Sequence, residues 1–460
     1  MCDLARLTAS LFSVPSHSLT SVPSFVFRVV LLFGLGATLS TAAVSDNPPW
    51  QELIEQNRRL QEQVRAQQTM IDELGAKMAA VLQTTERQER ELRGLQGGSG
   101  IAPEPARVRD RTHEVRIAAE AGLAFFHTGP EGQFPKGEFR VDDPVISFEA
   151  PIHKNVYFFG ALKLLPREAR LENFQLGELY VDFEDVSSTW GQMGLVNVRV
   201  GRFNVPFGEE YLARGPVTNA LISHSLSDIW GEDEGAEIYG KLGSFDYTVA
   251  VQNGGLSGVR DFNADKALVG RAGWNAATWL RVSGSAMRTG EISTAGDQLS
   301  AVWFGNGFFR GLGSPKTTRK FRADLYEADV IARWQTGHLS AAAGAVKFGD
   351  NDSTTDNSRR LHYNFVELMQ AVGARPYFAA RYSSIRVPRG YPLTGWGEAG
   401  EYFFEPTLTE ELHRLSLGLG YRLGPSLVLK MEYSWENGRE MTGDRRDEEN
   451  FFGTEIGLKF

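Results

Sequence analysis

Arg199, Arg271, Arg281, Arg381 and Lys430 each sit in a short segment where apolar residues recur at every second position. Val198 and Val200 flank Arg199, Leu268 and Trp274 bracket Arg271, Leu280 and Val282 flank Arg281, and Phe378 and Tyr382 bracket Arg381. Glu178, Asp182, Asp329 and Glu432 occupy equivalent positions. Side chains on a strand alternate between two faces, so these charges are expected on the face opposite the apolar one. Fixed charges lining a narrow, low-dielectric passage attract ions of opposite sign and repel their own. The chemistry on offer is therefore selection among ions and small solutes. Two outcomes stay open: a charged ring at one depth that selects, or a mixed, solvated lining of local ion pairs with little preference. Arg202 falls on the apolar parity unless Gly201 introduces a bulge.

Positioning such charges requires strands. Sixteen candidate strands start near Arg116, Val145, Val156, Gly177, Val196, Gly235, Phe245, Ala267, Thr278, Tyr326, His338, His362, Arg375, His413, Leu427 and Asn450. Leu415, Leu417, Leu419, Tyr421 and Leu423 share one parity, against Arg414, Ser416, Gly418, Gly420 and Arg422. Leu427, Leu429, Met431, Tyr433 and Trp435 repeat this against Val428, Lys430, Glu432, Ser434 and Glu436. Tight turns such as Gly243-Ser244 and Thr336-Gly337 alternate with long connections such as Asn204 to Glu234 and Arg288 to Leu325. Outer-membrane barrels combine short periplasmic turns, long external loops and an aromatic girdle at the strand ends. A water-soluble sandwich would bury one face, yet here one face carries Arg, Lys and Glu while the other carries Leu, Tyr and Trp to the strand ends. The expected fold is an all-β transmembrane barrel of about 16 antiparallel strands over residues 116–460, apolar outside and polar inside. An even strand number leaves both ends of the barrel on the periplasmic side.

The preceding 115 residues read differently. Arg28, the 11-residue apolar stretch Val29 to Leu39 and the small residues Ser40 to Ala43 describe a cleaved secretory signal over residues 1–43. The apolar core is short of the roughly 20 residues a spanning helix needs. A 4-3 spacing then runs from Leu53 through Leu60, Val64, Ile71, Leu74, Met78 and Val81 to Leu95. Such a seam buries itself against another helix, so residues 44–98 are expected to form a periplasmic α-helical coiled coil. Asn57, at an a position, restricts its register. Gly97 to Gly100, Pro103 and Pro105 mark a linker over residues 99–115.

VRVGRFNVPFGEEYL (Val198 to Leu212), following ELYVDFEDV (Glu178 to Val186), resembles the phosphate-selective porins O and P. There a strand ending in Gly-(Arg or Gln)-Phe-x-x-Pro-Phe-Gly leads into a long loop. VISFEAPIHKNVYFFGALKL resembles the opening hairpin of that family. The resemblance implies a trimeric sixteen-stranded channel whose third long loop folds inward, passing small hydrophilic solutes or anions such as phosphate. The family's clustered loop lysines are missing: Asn204 to Glu234 contains Arg214 and no Lys. The last segment, with Phe452, Thr454, Ile456, Leu458 and Phe460 on one parity, resembles the carboxy-terminal signature of bacterial outer-membrane proteins. That resemblance implies that the barrel-assembly machinery reads Phe460. The expected partners are thus outer-membrane lipid, further copies of the chain in a homotrimer, that machinery and the solutes.

Other classes find little support. A net charge of -9 argues against a general nucleic-acid binder. The single cysteine, Cys2, lies in the expected leader, which argues against a disulfide scaffold or thiol chemistry in the mature chain. No Gly-x-Ser-x-Gly elbow, His-Glu-x-x-His or Walker A loop occurs, and the eight histidines are scattered. No cofactor or metal is implied, and no enzyme activity is expected. Two alternatives are an outer-membrane hydrolase assembled in three dimensions and an anchor tethering the membrane to the cell wall through the coiled coil.

Overall fold

The computed structural model describes residues 114–164, 174–254, 265–293, 318–350, 357–404 and 406–460. The expected signal and coiled coil, and nearly all of the linker, lie outside the described residues.

Sixteen long strands form one sheet. They are β1 (Arg116–Thr128), β2 (Glu138–His153), β3 (Val156–Leu164), β4 (Phe174–Phe183), β5 (Asn197–Asn204), β6 (Glu232–Leu242), β7 (Phe245–Gln252) and β8 (Ala267–Ala277). The series continues through β9 (Leu280–Arg288), β10 (Ala323–Trp334), β11 (Gly337–Phe348), β12 (Arg359–Ala371), β13 (Pro376–Tyr391), β14 (Thr409–Gly424), β15 (Leu427–Glu440) and β16 (Phe451–Lys459). Each pairs antiparallel with its predecessor, and β1 pairs with both β2 and β16, so the sheet closes into a barrel. At the long-loop end the two-residue strand Arg445–Arg446 joins this sheet, while Ile292–Ser293 and Lys320–Phe321 pair with each other in a separate one. Closure leaves the long strands no free edge.

The expected alternation is visible in exposure. Leu415, Leu417, Leu419, Tyr421 and Leu423 are exposed on the outer surface, while Arg414 and Ser416 are buried inside. Trp274, Trp334, Tyr382, Tyr433 and Trp435 are exposed with them. An apolar exterior on a closed barrel is the inverse of a soluble fold and suits a hydrocarbon surround. The largest departure from the sequence reading is β2, which begins at Glu138 rather than near Val145. Its register against β1 shifts between Glu120 and Gly122, where Asp143 takes φ 40° ahead of Pro144. The bulge breaks the parity there and hides the first half of the strand.

The core sits inside the barrel. Phe203, Phe207, Leu325, Phe348, Leu361, Tyr391 and Leu412 belong to one buried cluster in the half nearer the long loops.

Candidate functional site: the lumen and the loop that crosses it

The longest fully described connection, residues 205–231 between β5 and β6, is the third long loop and folds into the lumen. Its entry is driven by apolar burial. Phe203, Val205 and Phe207 are each at most 1% exposed and pack with Leu226 and Ile229 from the returning half. The Val205 N–H donates to the Gly231 carbonyl at 2.8 Å, closing the base of the loop. Gly208 then turns the chain with φ 72°. Its N–H donates to Ser285 Oγ and its carbonyl accepts from Arg271 Nη1, both at 3.0 Å. A Cβ at Gly208 would also displace the Glu327 carboxylate, but it is the positive φ that calls for glycine.

The loop tip reaches the opposite wall. Glu432 on β15 accepts the N–H groups of Ile222 and Ser223 at 2.6 and 2.8 Å, together with the Ser223 hydroxyl. Arg381 on β13 donates to the Ser223 carbonyl at 2.7 Å and to Asn219 Oδ1 at 3.2 Å. Lys430 donates to the Leu221 carbonyl at 2.9 Å, and the Tyr377 hydroxyl to the Ala220 carbonyl at 3.0 Å. Glu120 on β1 accepts from the Val217 N–H at 2.8 Å. Irregular backbone buried away from water needs such partners, because each unpaired group costs about 1–3 kcal/mol. Leu221, Val217 and Ala220 fill the gaps between them against Tyr377, Ala379 and Val428. The wall makes room with glycine: a Cβ at Gly418 would strike Leu221 Cδ2, and one at Gly457 would lie 2.5 Å from the Pro216 carbonyl oxygen.

The sequence-derived charges fall into two groups. Some join strand to strand. Arg199 meets Asp182 at 2.8 Å and Glu237 at 3.3 Å, and its guanidinium lies over the Tyr180 ring at 4.3 Å. Glu178 accepts from the Asn204 N–H at 3.1 Å, and Asp329 from the Ser283 hydroxyl at 3.3 Å. The others hold the loop. Arg281 bridges Asp246 at 2.5 Å and Glu209 of the loop at 2.8 Å. Arg381 also pairs with Glu367, and Lys430 with Glu455 at 2.6 Å. Arg271 bonds to the loop through Gly208 and the Tyr211 hydroxyl, and has no ion pair among the described residues. Arg202 is not exposed on the outer surface. It is 3% exposed, with its guanidinium on the Gly177 carbonyl and the Glu234 carboxylate. Gly201 beside it has φ 137°, without any register slip against β4 or β6.

Two cavities adjoin the loop. The larger, about 360 Å³, is lined by Phe126, Phe134 and Trp396, by Arg140, Arg214 and Arg414, and by Asp142, Asp143 and Asp228. The smaller, about 180 Å³, is lined by Glu209, Glu210, Asp329 and Glu367 with Arg333, His338 and Arg381. His224 lines both. Its Nε2 faces the Arg214 carbonyl oxygen at 3.2 Å, and its Nδ1 lies 3.7 Å from Asp228. Burial, reinforced by the Arg214 guanidinium, pushes the His224 ring below its ordinary pKa. Burial pushes the Glu210 and Asp228 carboxyls up. With a carbonyl on one ring nitrogen and a carboxylate near the other, His224 has no serine hydroxyl to activate, which a Ser-His-acid site requires.

Sequence reasoning missed Arg414, Arg422, Glu367 and Tyr377. Arg414 donates to Glu436 at 2.6 Å and to the His224 carbonyl at 3.3 Å, and Arg422 reaches the Val217 carbonyl at 3.3 Å. Parity already placed Arg414 and Arg422 on the inner face. Extending the Arg381 argument to the facing strand would have found Glu367, its cross-strand partner.

No family model matches the chain. No curated protein matches it in sequence either. Among solved structures, it is similar to OmpT, an outer membrane protein of Vibrio cholerae, at 8% identity and a TM-score of 0.49, over 77% of this chain and 99% of that one. It is likewise similar to an anion-selective porin from Comamonas acidovorans at 10% identity and a TM-score of 0.49, covering 75% and 98% of the two chains. For the outer membrane channel DcaP of Acinetobacter baumannii the values are 11%, 0.49, 76% and 99%.

Proposed function

We propose that this chain is an outer-membrane porin: a passive diffusion channel for small hydrophilic solutes, narrowed by the loop over residues 205–231. One observation carries the reading. A closed barrel with an apolar exterior holds a loop of irregular backbone clamped across its interior, with cavities rich in charge on either side of it. An anchor needs no such interior, and a core filled only for stability would not leave charge-lined cavities on both sides of the loop.

The lining supports weak rather than strong ion preference. Arg199, Arg281, Arg381 and Lys430 all have carboxylate partners, so their charges largely cancel locally. A phosphate pathway would draw on cations without such partners, and among the sequence-derived set Arg271 alone has none among the described residues. The reading includes a homotrimer, and recognition of Phe460 by the barrel-assembly machinery. Phe460 is 74% exposed, and its backbone exchanges hydrogen bonds with Ala119 at 3.0 and 3.1 Å.

Planar bilayer recording on the purified full chain tests this. Discrete steps in potassium chloride, with a reversal potential near zero in a salt gradient, are expected. A folded barrel that inserts and passes no current would overturn the channel reading in favour of the anchor.

A further inference from the structure

The outer surface is not uniformly apolar. Near the long-loop ends of β11, β12 and β13, the outward positions carry Lys347, Arg360, His362 and Arg386, all exposed. The positions beside them on each strand, Val346, Leu361 and Ile385, point inward and are at most 1% exposed. Lys347 is directly opposite Arg360, and His362 directly opposite Arg386. The Lys347–Arg360 pair sets like charges against each other on neighbouring strands, which destabilises a sheet, so the arrangement calls for an anion.

Among the described residues, no protein group supplies it. Asp324 is opposite Lys347 on β10, yet it bonds Arg288 at 2.6 Å. Glu411 is opposite Arg386 on β14, yet it bonds Arg439 at 2.8 Å. Lys347, Arg360 and Arg386 have no ion pair among the described residues. The cluster is also local: towards the same end of the barrel, β1 and β2 present Phe125, Phe139 and Val141 outward.

We propose that Lys347, Arg360 and Arg386 form a binding site for the anionic phosphate headgroup of a membrane lipid. Their parity puts them on the surface that meets the acyl chains lower down, through Val366, Tyr382 and Leu415. A lipid seated there lays its chains on that apolar wall and its phosphate among the three cations, where each basic residue adds to the attraction. A free anion gains the charge contacts without the apolar contact. The inference rests on the membrane-barrel reading and leaves the lumen untouched.

Native mass spectrometry of the full chain in mild detergent tests it, with phosphatidylglycerol and phosphatidylcholine of identical acyl chains. Wild-type protein should retain phosphatidylglycerol at least about threefold better. The K347Q/R360Q/R386Q variant should lose that preference while its single-channel conductance stays unchanged. A preference that survives in the variant overturns the site. If millimolar inorganic phosphate, without lipid, shields Lys347 from an amine-acetylating reagent as well as phosphatidylglycerol does, the site takes free anion and the lipid assignment fails. The channel reading fails separately, through loss of conductance in the wild-type protein.

Discussion

The Glu432 carboxylate accepts the backbone N–H of Ser223 at 2.8 Å, linking the loop to the far wall across 209 residues of chain. One carboxylate accepts two successive N–H groups and a hydroxyl, while Ser434 donates to it at 2.7 Å. This is an anion nest closed by a side chain of the same protein.

Replacing Glu432 by Ala removes the acceptor and leaves two N–H groups unsatisfied. Hydrogen bonds to a charged group contribute about 1.5–3 kcal/mol each, so the docked loop should lose several kcal/mol. The barrel should still form, and single-channel recordings should show larger, noisier openings. E432Q, which keeps an acceptor, should fall in between. Identical traces for wild type and E432A would show that the loop is held elsewhere.

Leu221 and Gly418 form a size-matched pair. L221A should weaken docking by about 2–5 kcal/mol through the cavity it leaves. G418V should displace the loop by direct collision. Combining the two should restore part of the loss. Tryptic cleavage after Arg214 in folded, detergent-solubilised protein is the measure: faster in each single variant, slower again in the double. Additive acceleration would rule out direct contact.

Arg199 and Arg281 should face water, with Val198 and Val282 facing lipid. Cysteine placed at each in protein lacking residues 1–43, and so lacking Cys2, should react with a charged, membrane-impermeant thiol reagent only at the arginine positions. A one-residue slip in register would exchange every such pair. R281A leaves Asp246 and Glu209 without their shared cation, so the reversal potential should move towards cations. Labelled valines beside protected arginines would invert the assigned faces.

His224 sets an acid limit on docking. Its packed ring resists the proton that a free ring takes below about pH 6.5, so it destabilises the docked loop as pH falls through that region. Glu210 and Asp228 act in the opposite direction, since packed carboxyls with raised pKa hold protons more readily than free ones. H224Q removes the first effect alone. Amide-exchange protection of Ile222 and Ser223 should therefore decline less between about pH 7 and about pH 5 in H224Q than in wild type. Equal declines would place the acid sensitivity outside His224.

The barrel was legible because parity is a local signal repeated strand after strand. On β14, Leu415 to Leu423 against Arg414 to Arg422 states both faces without reference to the rest of the chain. Lys430 and Glu432 were placed on the inner face by the same rule. What they hold was not legible, because the Leu221 carbonyl and the Ser223 N–H carry no side-chain signature and lie far away in sequence. Gly418 and Gly457 read simply as small inner residues, although the space they leave is where the loop lies. Arg202 shows the limit of parity itself: simple parity points it outward unless Gly201 introduces a bulge, and beside Gly201, at φ 137°, it is buried.

The loop's seat also fixes an order of events. Its stem belongs to β5 and β6, but its anchors, Arg381, Lys430 and Glu432, belong to β13 and β15. Contacts separated by 158 to 209 residues cannot form until the later strands are in place. Pairings of such long range are slow to form. The loop must therefore wait, with its polar backbone solvated, while the wall is built around it. Constriction thus comes late in the maturation of this barrel, and a chain stalled before β15 would present an unfinished wall together with an unclamped, wide interior.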